Sequence, residues 1–123
     1  MYIILIRKGE NMTINEYQQS ASRFISPELT KETMLINSAL GIGGESGEVI
    51  DLIKKSAFHG HNLDVEKIKG EMGDVCWYLA EIATALNFNF EDVFTGNIEK
   101  LSKRYPEGFD KERSIHRKEL GIE

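Results

Sequence analysis

The sequence predicts an all-α fold of four helices, on three observations. Thr13 and Asp64 are capping residues placed ahead of long segments, Leu35, Ile36, Ala39 and Leu40 recur at helical spacing, and Pro27 and Pro106 bracket most of the chain. Thr13 with Glu16 three residues on has the pattern of a capping box, which predicts a first helix to about Phe24, broken by Ser26 and Pro27. A second helix is expected from Thr30 or Lys31 through Val49, Leu52 and Ile53. Gly41, Gly43, Gly44 and Gly47 fall inside it, and each interior glycine costs about 1 kcal/mol relative to alanine. Two readings stay open there: a kink or break, or the close approach of a ligand or a second backbone. His59 to Asn62 reads as a loop, Asp64 caps a third helix to about Leu86, and Glu91 to Tyr105 reads as a fourth, stopped by Pro106 and Gly108.

These signals divide the chain into an extension over residues 1–11, for which an added strand is one reading, a domain over 12–109, and a charged tail over 110–123 expected to pack loosely or fray. A length of 123 residues suits one domain, and 41% hydrophobic with 28% charged residues suits a folded chain rather than a disordered one. No apolar run approaches the roughly 20 residues that span a bilayer, and the apolar start at Tyr2 to Ile6 lacks a signal peptide's core, so no membrane association and a cytoplasmic location are expected. The lone Cys76, in an apolar helical pattern, reads as a buried thiol. A net charge of -5 argues against binding nucleic acid through its backbone, yet permits binding of a polyphosphate bridged by divalent cations.

Two pairs of acids carry chemical information. Residues three apart on a helix are neighbours, so Glu45 with Glu48, and Glu71 with Asp74, each direct two carboxylates to one spot. Ser38, Gly41, Glu45, Glu48 and Leu52 form one stripe; Lys67, Glu71, Asp74, Tyr78 and Ile82 form another. If the stripes face each other, four negative charges converge, and cations relieve the repulsion. Either pair alone also suits a solvated helix face. Small residues at Gly44, Gly47, Gly70 and Gly73 leave room for a ligand, so a shared metal site and a pair of solvated faces both stand on these grounds. His59 and His61 lie in a loop and His116 in the tail, so the site offers oxygen only, suited to magnesium or manganese and to a phosphoryl-transfer substrate.

The segments GGESGEVIDLIKK, GEMGDVCWYLAEIA and NIEKLSKRYPEGF resemble the three blocks of MazG-like nucleoside-triphosphate pyrophosphohydrolases, over roughly Leu35 to Phe109. The resemblance implies an all-α bundle completed by subunit association, as a homo-oligomer of two or four chains. It also implies hydrolysis of an NTP or dNTP at the α-phosphorus to nucleoside monophosphate and pyrophosphate. Carried over, it makes Glu45, Glu48, Glu71 and Asp74 magnesium ligands, with manganese as an alternative. Asn97, Lys100 and Arg104, on one face of the fourth helix, become contacts to the phosphates. Lys54 and Lys55 follow the first acid pair, and Lys55 is taken as a further substrate contact. Tyr78, on the acidic stripe, is placed to stack on a base, whereas Trp77 turns about 100° away toward core or subunit interface. Some family members carry a further glutamate where this chain has Gly44, so the acceptor of the water proton is sought in Glu45 or Glu48. The competing readings are a non-catalytic helical interaction or regulatory module, and a phosphohydrolase releasing inorganic phosphate.

Overall fold

A computed structural model describes residues 11–123. Among them the chain forms five α-helices and no strand: α1 (Ile14–Ser22), α2 (Lys31–Phe58), α3 (Val65–Ala85), α4 (Phe90–Arg104) and α5 (Lys111–Ile115). The strand considered for residues 1–11 falls, except for Asn11, outside the described residues. The helices group into two compact units, one ending at Asn89 and one spanning Phe90–Glu123.

In the first unit the capping chemistry sets where each helix begins. Thr13 accepts the Glu16 amide at 3.1 Å, and Glu16 returns the bond to the Thr13 amide at 2.7 Å, satisfying two amides at the start of α1. Thr30 and Thr33 exchange the equivalent pair ahead of α2, and Asp64 accepts the Lys67 amide at 3.0 Å ahead of α3. Asn87 ends α3 in the left-handed region at φ 59, where the amide of Phe88 reaches the Ala83 carbonyl and that of Asn87 reaches Thr84. This Schellman turn satisfies two otherwise orphaned carbonyls. Gln18 of α1 then donates its side-chain amide to the Phe88 carbonyl at 3.0 Å, tying α1 to the end of α3.

α2 and α3 run antiparallel: Asn37 meets Glu81, Gly41 meets Tyr78, and Glu45 meets Glu71 and Asp74. The glycine-rich stretch does not break α2. A Cβ at Gly41 would overlap the Tyr78 ring, so this glycine exists to let an aromatic side chain lie on the helix. At Gly43, Gly44 and Gly47 a Cβ would meet nothing within 4 Å.

The interior of this unit is thin. Among the described residues its buried apolar side chains are Ala21, Ala80 and Ala83, with Ser38 and Glu81 as buried polar groups. Asn37 donates to the Glu81 carboxylate at 3.1 Å, and Trp77, half-buried, donates its indole N–H to the Ala21 carbonyl at 3.0 Å. Leu40, Ile50 and Phe58 are 73%, 65% and 82% exposed. Cys76, expected to be buried, is exposed and lines a groove with Ile50. Around it α3 is apolar on more than one face, and only some of those faces have a neighbour among the described residues.

In the second unit α4 ends at Arg104, and the following turn passes through Gly108 at φ 91. The charged tail opens with a short helix. Asp110 caps α5 by accepting the Arg113 amide at 2.9 Å, and the Arg113 guanidinium donates to the last carbonyls of α4, those of Lys103 and Arg104.

A candidate metal centre between α2 and α3

The α2–α3 pairing brings three of the four acids together. Glu45, Glu71 and Asp74 each offer a carboxylate oxygen, and these oxygens lie within 4.8 Å of one another. Glu45 and Glu71 are half-buried; Asp74 and Glu48 are exposed, and Glu48 stands outside the group. The Glu45 carboxyl is held above the usual carboxylate range, first by partial loss of water, then by a hydrogen bond with Glu71, then by the charges of Asp74, Glu71 and Glu48. Crowded oxygens that raise a neighbour's proton affinity form a donor set for a hard cation, which would replace the shared proton.

Two residues near the acids were not singled out from sequence. Tyr17 of α1 has its phenol pKa raised by burial, then by the neighbouring Cys76 and Asp74. Its place on one face with Ile14 and Ala21, at spacings of three and four, was the available signal. Asp51 holds Lys54 at 3.0 Å and Lys55 at 2.6 Å, and the two hydrogen bonds lower its carboxyl pKa to about 2. Lys55 in turn has its pKa raised, first by its bond to Asp51 and last by the charge of Glu48. Tyr78 lies against Gly41 and meets Trp77 edge-on at 5.0 Å.

Comparison with known proteins gives this arrangement a family. The model of the MazG nucleotide pyrophosphohydrolase domain matches residues 35–109, which takes in all four acids and most of α2, α3 and α4. The chain belongs to the MazG family. Among curated proteins, the Gene 37 protein of Mycobacterium phage L5 is 30% identical over 73 residues, covering 56% of this chain and 64% of the phage protein, just under two thirds of its length. No solved structure matches significantly. The MazG family is metal-dependent, and the group at Glu45, Glu71 and Asp74 is the candidate acidic metal site of this member.

The third MazG block lies in the second unit. There Lys100 and Arg104 line an open cleft of about 510 Å³ together with Lys103, which the sequence reading passed over, and with Glu99 and Glu123. Asn97 is exposed on α4 and is not among the cleft residues. No helix of the described residues is long and apolar enough to cross a membrane.

Proposed function

We propose that this MazG member hydrolyses a nucleoside triphosphate, ribo or deoxyribo, at the α-phosphorus, giving nucleoside monophosphate and pyrophosphate. The observation that carries the proposal is the convergence of Glu45, Glu71 and Asp74 across two helices inside the matched region. An all-oxygen donor set fits magnesium or manganese, which Glu45, Glu48, Glu71 and Asp74 would hold. Bound there, the ion supplies Lewis acidity toward phosphoryl oxygens and acidifies a water.

The chain's own side chains supply the rest. Glu45 or Glu48 takes the proton of the attacking water. Lys100 and Arg104 stabilise charge on the departing pyrophosphate, with Asn97 and Lys55 as further phosphate contacts. Tyr78, whose ring packs on Gly41, is the proposed contact to the base. The direct test is incubation of the purified protein with each common NTP and dNTP plus magnesium, with chromatographic identification of products. Monophosphate and pyrophosphate in equal amounts are expected; diphosphate with inorganic phosphate would contradict the reading.

The active form is proposed to be a homo-oligomer. Ile50, Met72, Val75 and Cys76 line a shallow apolar groove of about 340 Å³ on the α2–α3 face, and Ile53 and Leu79, three residues beyond Ile50 and Cys76, are also exposed. Apolar surface of this kind on a thin unit is the material of a subunit interface. Light scattering is expected to give a mass of at least two chains, and a strictly monomeric active protein contradicts this.

A further inference from the structure

Arg104, on which the proposed function relies for charge stabilisation, is held by a device built from the C-terminal segment. Its Nε donates to the Ile122 carbonyl at 3.0 Å. That carbonyl is put in place by a second Schellman turn: the Ile122 amide reaches the Arg117 carbonyl at 3.0 Å, the Gly121 amide reaches Lys118 at 3.2 Å, and Gly121 adopts φ 66. From the other side, the Arg113 guanidinium donates to the backbone carbonyls of Arg104 and Lys103. Arg104 is thus fixed at its backbone and at its Nε. A guanidinium carries five N–H donors in a rigid fork, so using Nε as the anchor leaves the two terminal nitrogens as an oriented pair, the geometry that binds phosphate oxygens bidentately. Arg104 lines the same cleft as Lys100 and Lys103.

We propose that Gly121 and Arg113 are positioning residues, and that the C-terminal turn orients Arg104 toward a phosphate chain. The inference rests on Arg104 being a phosphate contact. An arginine held in advance loses less side-chain freedom when the phosphate arrives, so the benefit shows in turnover and affinity rather than in folding.

The experiment uses the full chain and the member of the eight common NTPs and dNTPs that it turns over fastest. Arg104→Ala is expected to lower kcat/KM about tenfold to hundredfold. Gly121→Val, which cannot hold the left-handed turn without strain, should lower it about threefold to tenfold, whereas Gly121→Asn, which tolerates that region, should restore most of it. In the Arg104→Ala background Gly121→Val should have no further effect, because it acts only through the guanidinium. Arg113→Gln should follow the same pattern. If Arg104→Ala leaves kcat/KM unchanged, or no triphosphate is hydrolysed, the reading of Arg104 as a phosphate contact fails and this inference with it. If Arg104→Ala is impaired but Gly121→Val is not, only the positioning inference fails. Equal losses from Gly121→Val with and without Arg104 would mark the turn as merely structural, and a gain in activity would mark it as a cover over Arg104; both overturn it.

Discussion

Glu71→Gln and Asp74→Asn are each expected to lower kcat by about 10²–10³-fold and to weaken magnesium binding in calorimetry, with the helical circular dichroism unchanged. The size follows from what each substitution removes. Both side chains contribute to the close oxygen group with Glu45, and a neutral amide leaves the cation short of one charge in a space that three carboxylates define. Unchanged magnesium affinity in both variants would remove the site. The electrostatics of Glu45 add a dependence on pH. Its folded-state pKa lies above the ordinary value, so protonation competes with the metal, and affinity should fall at a higher pH than for an unperturbed carboxylate. The stability linkage has the opposite sign from that of a salt-bridged acid. The stabilisation from protonating Glu45 is fully present below the unfolded pKa and lost as pH rises through the raised folded pKa. Glu45→Gln should therefore melt no lower than the parent protein at pH 7 without metal, and should lose the rise in Tm that magnesium gives the parent.

Gly41→Val is expected to destabilise the first unit by about 1–3 kcal/mol, visible as a drop in Tm. The new side chain would enter space filled by the Tyr78 ring, and that ring is wedged against Trp77, which is itself bonded to α1 through Ala21. Gly43→Ala is the control: its Cβ meets nothing within 4 Å, and relief of the glycine penalty in a helix should leave stability equal or higher. Equal Tm for Gly41→Val and the parent would show that the contact between α2 and Tyr78 is not tight.

The start of each long helix was legible because the information is local. Thr13, Thr30 and Asp64 lie within three residues of the amides they cap, and all three act as caps. The clamp across α2 and α3 was legible for a related reason, since spacings of three on each helix defined two stripes, and three of the four acids converge. What escaped depends on partners distant in sequence. The role of Gly41 is set by Tyr78 and not by its neighbouring glycines. The order of the tail comes from Arg113 meeting carbonyls nine and ten residues earlier, in a stretch with no apolar periodicity to announce a helix. The exposure of Cys76 follows from an apolar face left uncovered among the described residues, a property no helical pattern records.

The central claim is that water attacks the α-phosphorus, and hydrolysis in ¹⁸O-labelled water tests it most directly. Attack at that centre breaks the bond between the α-phosphorus and the bridging oxygen, places the water oxygen on the nucleoside monophosphate, and leaves pyrophosphate unlabelled. Mass spectrometry of the separated products should find one heavy oxygen in the monophosphate and none in pyrophosphate. Label in the pyrophosphate would place attack at the β-phosphorus, and labelled inorganic phosphate beside a nucleoside diphosphate would place it at the γ-phosphorus; either result contradicts the account.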